Sequence, residues 1–168
     1  MANRPAPALA LRDGDREELS RITRSSSVRA GLAQRARIVL AAADGVANEQ
    51  IAARVAASLG AQYRRQQTPF SVVLHGGEPL MLGPERLAKL CDTLRVELPH
   101  PCGIHVQTNG VLLSDAIIEV LVAYDVGISI SIDGPASVHD RFRTDHAQAG
   151  SHVRVAAGIA RLTGRSDA

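Results

Sequence analysis

Apolar residues recur at helical spacing over the first third of the chain and in short strand-like runs after it. Asp15 to Arg24 puts Leu19 and Ile22 on one face and predicts a helix, with Asp13 or Asp15 as its N-terminal cap. Ser25-Ser26-Ser27 resets the chain. Ser27 to Ala43 predicts a second helix, with Val28, Leu32, Ile38, Val39 and Leu40 on its apolar side. Arg29, Arg35 and Arg37 fall on its polar side, and Asp44-Gly45 ends it. Asn48 is placed to cap a third helix, from Glu49 to about Leu59, with Ile51, Ala52 and Val55 facing inward and Gly60 at its end. From Tyr63 the pattern changes, and Arg64 to Pro69 reads as a polar loop. Strands are then predicted at Phe70–Leu74, Gly103–Gln107 and Val126–Ile132. They alternate with helices at Pro84–Leu98, Ser114–Tyr124 and about Ser151–Leu162. Pro84 suits a first helical turn and Ser114 a cap. The alternation implies a parallel α/β sheet with right-handed crossovers.

The chain has 168 residues, 45% of them apolar, enough for one domain with a packed core or for one domain plus a small appendage. With two Phe, two Tyr and no Trp, that core must rest on Ala, Val, Leu and Ile. Charge divides where the pattern changes. Residues 1–66 carry 11 basic and 6 acidic residues, leaving +5; residues 67–168 carry 8 and 11, leaving −3. Such a split suggests two modules. The basic module suits either nucleic acid or a solvated Arg-rich helix surface. No apolar run is long enough to span a bilayer, and the N-terminus lacks the apolar core of a signal peptide. A cytoplasmic protein with no membrane partner is therefore expected. Cys91 and Cys102 are expected to be reduced core residues. His139 and His146 lie too far apart to argue for a metal site, and His100, His105 and His152 share no ligand spacing with the cysteines.

The chemistry sits at the strand ends. His75-Gly76-Gly77-Glu78-Pro79 follows the first strand. Paired glycines there let a ligand approach the backbone, and carbonyls beside one carboxylate suit an ammonium group. The same residues also fit an ordinary strand-to-helix turn. Gln107-Thr108-Asn109-Gly110 ends the second strand and Ser131-Ile132-Asp133-Gly134-Pro135 the third. Ligands of parallel α/β sheets bind at the carboxyl ends of strands, so three such turns would share one rim. Against that, Asn109-Gly110 and Asp133-Gly134 are also good turn formers.

In order and spacing, His75-Gly-Gly-Glu-Pro, Gln107-Thr-Asn-Gly, Ser129-Ile-Ser-Ile-Asp-Gly-Pro and His139-Asp-Arg-Phe-Arg resemble radical S-adenosylmethionine (radical SAM) enzymes. The similarity is to the branch that matures peptides and sulfatases, over about residues 55–165. It implies an α/β fold, a partial (β/α) barrel with three parallel strands, following an N-terminal three-helix unit. It also implies S-adenosylmethionine as cofactor and a peptide or protein substrate for the full-length family. By this resemblance Gly76, Gly77 and Glu78 hold the methionine ammonium, with Pro79 in the same cofactor-binding turn. Gln107, Thr108 and Asn109 line the cofactor pocket, Ser131 and Asp133 lie near the ribose or carboxylate, and Arg143 faces the carboxylate.

The family's 4Fe–4S cluster needs three cysteines in a C-x3-C-x2-C loop before the Gly-Gly-Glu-Pro turn. In this sequence no cysteine precedes Cys91, so no radical catalysis is expected from this chain alone. The first barrel strand, its cluster loop and the later strands are expected to be missing too. The N-terminal stretch is similar to something else. Pro7-Ala-Leu-Ala-Leu-Arg, Arg29 to Leu40 and Ile51-Ala-Ala-Arg-Val resemble the helix-turn-helix arm of insertion-sequence transposases, over about residues 5–55. That resemblance implies a DNA partner, but the recognition helix is expected to be absent. The expected domains are thus a helical transposase-like remnant, 1–55, and a truncated radical-SAM-like α/β domain, 56–168. The open edges of its sheet would invite self-association. A degenerate radical-SAM-like protein is the preferred reading. A DNA-binding remnant and a chimeric product without function are the alternatives.

Overall fold

The computed structural model describes residues 7–145 and 147–164. The first six residues, His146 and residues 165–168 lie outside them. The chain forms two compact units: one runs to Gln67 and takes in Val96–Leu98, the other holds Thr68–Arg95 and the residues from Pro99 on.

The first unit is helical. α1 spans Asp15–Arg24, α2 Ala30–Ala43 and α3 Asn48–Gln66. α1 is acidic in its first turn and basic in its last, as the helix dipole favours. The predicted side-chain caps are not made. Gly14 occupies the cap position of α1 and Ala47 that of α3, while Asp15 instead accepts the Arg12 N–H. α2 begins after the serines, because Ser25 and Ser27 hydrogen-bond each other in a bend. α3 does not stop at Gly60. It continues through Arg64 and Arg65 and closes on Gln67, whose left-handed φ of 54° turns the chain. The glycine serves close packing: a Cβ there would lie 2.9 Å from the Glu97 carbonyl oxygen. Apart from Ile51 the buried residues of these helices are small, among them Ala33, Ala36 and Ala56, and α1 buries none.

The second unit is α/β. Its sheet has three parallel strands in the order β1-β2-β3: Ser71–Leu74, Gly103–Thr108 and Val126–Ile130. Val72, Ile104 and Val126 are in register, as are Ser71 and Gly103, and His105 and Gly127. The alternation separates two faces. Ile104, Val106, Thr108 and Val126 are buried on one, while Ser71, Val73, His105 and Ser129 are exposed on the other. After β1 a short 3-10 turn, Pro79–Leu82, leads into α4, Gly83–Glu97. α5, Asp115–Ala123, follows β2, and Ser114 caps it by accepting the Ile117 N–H, as predicted. Leu87, Cys91 and Leu94 of α4 and Ile117, Ile118 and Leu121 of α5 join Ile104 and Val106 in the core.

Beyond β3 lies a helix that the alternation did not predict, α6 at Ala136–Phe142, followed by α7 at His152–Thr163. Pro135 starts α6, and its only buried residue is His139. An apolar-face reading passes over such a helix because its buried position is polar. At the opposite end of the strands the Arg95 guanidinium donates to three carbonyls: Cys102 at 2.7 Å, Tyr124 at 3.0 Å and Asp125 at 3.1 Å. That links the end of α4 to the starts of β2 and β3. Among the described residues no helix is long and apolar enough to cross a membrane.

Candidate functional site

The turn after β1 leaves its backbone open. Gly76 and Gly77 have φ of 107° and 53°, a region that L side chains seldom enter. A Cβ built on either would meet no atom within 4 Å, so a ligand can reach these peptide groups. Glu78 closes the turn. Its Oε1 accepts the Leu80 N–H at 3.1 Å and the Thr108 hydroxyl at 2.6 Å, and its Oε2 accepts the Asn109 N–H at 2.9 Å. One carboxylate thus caps the 3-10 turn that Pro79 begins and ties it to the end of β2.

Thr108 is buried and passes the link on, its Oγ accepting the Gly110 N–H at 3.0 Å. Asn109 bends the chain by accepting the Val111 N–H, an Asx turn. Gln107 and Ser131 join the ends of β2 and β3: the Gln107 amide donates to Ser131 Oγ at 3.0 Å, and the Ser131 N–H to the Thr108 carbonyl at 2.9 Å. The third turn adds an ion pair. Arg143 donates to Asp133 through both Nε and Nη2, a two-point fork. That hydrogen-bonded guanidinium holds the Asp133 carboxyl below its ordinary range, and Asp133 in turn raises Arg143.

Glu78 of the first turn and Asn109 of the second line one open groove of about 790 Å³, with Met81, Leu112, Arg143 and Arg154 among others; the third turn is tied to it through the Asp133–Arg143 pair. Of the ten residues predicted for the site, Glu78, Asn109 and Arg143 line this groove. Gln107, Thr108, Ser131 and Asp133 are engaged in the bonds that shape the turns, Pro79 begins the 3-10 turn, and His75 is exposed. The loop from Thr144 to Gly150 closes on itself by a single antiparallel bridge. Asp145 organises it by accepting the Ala147 and Ala149 N–H groups and pairing with Arg154.

His139 is the residue that sequence reasoning undervalued. It is wholly buried, with Nδ1 3.2 Å from the Asp133 nitrogen and Nε2 3.0 Å from Ser151 Oγ. Its place in the His-Asp-Arg-Phe-Arg stretch was legible as a motif; its burial was not, because the helix carrying it was not predicted.

The residues do not fit a 4Fe–4S cluster. Three thiolates are required, and the two cysteines present are buried, one inside α4 and one just before β2. Burial pushes the Cys91 thiol up to about 11, away from the thiolate a metal needs. Among the described residues no group of three or more His, Cys, Asp or Glu side chains is gathered to hold a metal ion.

Three parallel strands in an open sheet, alternating with helices, match part of a radical-SAM fold. The solved structure of anSMEcpe with bound AdoMet superimposes with a TM-score of 0.57 at 23% identity, covering 66% of this chain and 31% of that one. AnSMEcpe with AdoMet and the Kp18Cys peptide gives the same TM-score, over 66% of this chain and 32% of that one. In sequence, the chain is 34% identical over 102 residues to the serine-type anaerobic sulfatase-maturating enzyme of Bacteroides thetaiotaomicron, covering 58% of this chain and 24% of that enzyme. It is 35% identical over 97 residues to an uncharacterized protein of Synechocystis sp., covering 54% of this chain and 24% of that protein. The chain therefore spans only about a quarter of the length of these two curated relatives. No model of a known protein family matches it.

Proposed function

We propose that the α/β unit is a radical-SAM-like module, related to sulfatase and peptide maturases, that binds S-adenosylmethionine and does not itself carry the three cysteines of the cluster that would cleave it. The observation that carries this reading is the groove that gathers Glu78, Asn109 and Arg143, with the third turn joined to it through the Asp133–Arg143 pair. The uncovered Gly76 and Gly77 peptides offer carbonyls to the methionine ammonium. A carboxylate has about four acceptor sites, and Glu78 uses three internally, leaving one for that ammonium. A guanidinium has about five N–H donors, and Asp133 takes two from Arg143, leaving the rest for the methionine carboxylate. When bound, the cofactor would supply a sulfonium-activated alkyl group. This chain's own residues bind and orient it and perform no further step. A peptide partner is supported by the peptide bound in anSMEcpe. The reading of a helical appendage to about residue 55 followed by the module belongs to this proposal, with α3 spanning that boundary.

Isothermal titration with S-adenosylmethionine tests the proposal. Binding is expected in the wild type and is expected to weaken at least about tenfold in Arg143→Ala and Glu78→Ala, from the loss of charge-assisted hydrogen bonds. A folded wild type that takes up no S-adenosylmethionine at millimolar concentration would refute it.

A second reading concerns the N-terminal helices. Arg37 and Arg54 line an open groove of about 530 Å³ with Gln34 and Ser58, in a segment of net positive charge. This favours contact with DNA phosphates of the kind the transposase resemblance implies. α3 runs unbroken past Val55, so no separate recognition helix follows it. Binding should therefore be insensitive to sequence and fall steeply with salt. Duplex affinity unchanged by Arg37→Ala/Arg54→Ala would exclude this groove.

A further inference from the structure

We propose that His139 is the positioning residue of the Asp133–Arg143 pair, acting through a one-way hydrogen-bond chain that ends on the backbones of both partners. Its role in cofactor binding rests on the S-adenosylmethionine reading; the positioning itself does not.

The direction of the chain follows from what each group can do. The Asp133 N–H can only donate, so His139 Nδ1, 3.2 Å away, is the acceptor and carries no proton. A neutral imidazole has one N–H, which must then sit on Nε2, 3.0 Å from Ser151 Oγ. Ser151 therefore accepts from His139, and its own hydroxyl proton goes to the Arg143 carbonyl at 2.8 Å. The Ser151 N–H donates to that same carbonyl at 3.1 Å. The Arg143 N–H donates to the His139 carbonyl at 3.0 Å, so Arg143 is clamped at both its N–H and its C=O. The polar groups around the ring come from each element packed on it: Asp133 from the turn after β3, Arg143 from the end of α6, Ser151 and His152 from the start of α7. The His152 ring meets that of His139 edge-on at 5.6 Å.

Such a device is needed because the ion pair cannot fix itself. The Arg143 and Asp133 side chains are 38% and 41% exposed, and exposed pairs are screened and weakly held. The geometry must come from the backbones that carry them. An apolar residue in place of His139 would fill the same volume but leave the part-buried Asp133 N–H without its acceptor.

The test uses the full chain, labelled with nitrogen-15. In the wild type, His139 is expected to show a bare Nδ1 and a protonated Nε2, and Arg143 a slowly exchanging Nε–H. His139→Phe, checked for folding by its melt, should speed that exchange and weaken S-adenosylmethionine at least about tenfold. His139→Asn, which keeps an acceptor near the Nδ1 position, should restore much of both. If His139→Phe does not fold, Ser151→Ala cuts the chain at its other end and should speed the Arg143 exchange by a smaller factor. The reverse tautomer, or a folded His139→Phe with unchanged Arg143 exchange, would overturn the inference. If the exchange responds as expected while the wild type binds no S-adenosylmethionine, the positioning stands and the cofactor reading fails.

Discussion

The N-terminal helices and the α/β unit are held together by different kinds of contact. In the helices the polar pairs are mostly local or exposed: Arg21 reaches Glu18 three residues away, and Arg16 meets Asp44 on the surface. In the α/β unit the polar bonds cross long stretches of chain. Glu78 reaches Thr108 and Asn109, Arg95 reaches Tyr124, and His139 reaches Ser151. The cores differ in the same sense. The helices bury mainly alanines, whereas the α/β unit closes on Leu87, Ile104, Ile117 and Ile118. Long-range bonds and large buried side chains fix a geometry; local pairs on a helix surface do not. Positional accuracy, and any site that depends on it, therefore belongs to the α/β unit.

The largest effect expected from this contrast is in packing. Leu87→Ala should cost about 2–5 kcal/mol, since it opens a cavity at a fully buried position. Leu32→Ala, at a position 49% exposed, should cost about 0.5 kcal/mol or less. Urea unfolding of the two variants measures both, and equal losses would break the comparison. Next in size is Arg95→Met. It keeps the side-chain stem but strips a charged donor from the Cys102, Tyr124 and Asp125 carbonyls, at a cost of about 2 kcal/mol. Arg21→Met, facing only exposed Glu18, should leave the urea midpoint unchanged.

These differences also explain what the sequence could disclose. The three strands, α1, α4 and α5 were legible because apolar spacing and turn residues agree there. Turn chemistry likewise marked the strand-end turns, since glycine, Asn and Asp there have physical reasons to be present. Three things escaped. α6 was hidden because its buried residue is His139, which no hydrophobic pattern counts. The length of α3 was hidden because Gly60 reads as a stop until a close neighbour explains it. The pairing of Arg143 with Asp133 was hidden because a fork between residues ten apart leaves no local signal. Patterns report burial and turns, while partners come from the fold.

A smaller effect concerns pH. The Arg143 guanidinium holds Asp133 below its ordinary value of 3.8, and hydrogen bonds from the Ala149 and Ala147 N–H groups, with Arg154, do the same for Asp145. A carboxyl lowered in the folded state favours folding fully above its unfolded value, and that contribution fades as pH falls through the lower folded value. Stability should therefore decline as pH drops below 3.8, and an Asp133→Asn/Asp145→Asn double variant should flatten that decline. Glu18 is lowered too, by its hydrogen bond to Arg21, but it is fully exposed and its partner lies on the same helix. Glu18→Gln should leave the acid limb almost as it was. If Glu18→Gln flattened the limb as much as the double variant, the helices would share the electrostatic order assigned here to the α/β unit.

The smallest expected signal is also the most local. Both cysteines lie in the α/β unit and both are buried, with the Cys91 thiol raised to about 11 by that burial. Both are shut off from solvent, so a thiol-specific reagent should label the native chain only through opening of this unit. Labelling then reads the α/β unit alone, with no contribution from the cysteine-free helices. The rate should be far below that of a free thiol in buffer and should rise with urea in step with loss of the Leu87 core. Labelling at the free-thiol rate in the absence of denaturant would mean that this core opens readily. The large side chains would then fix nothing, and the contrast between the two regions would collapse.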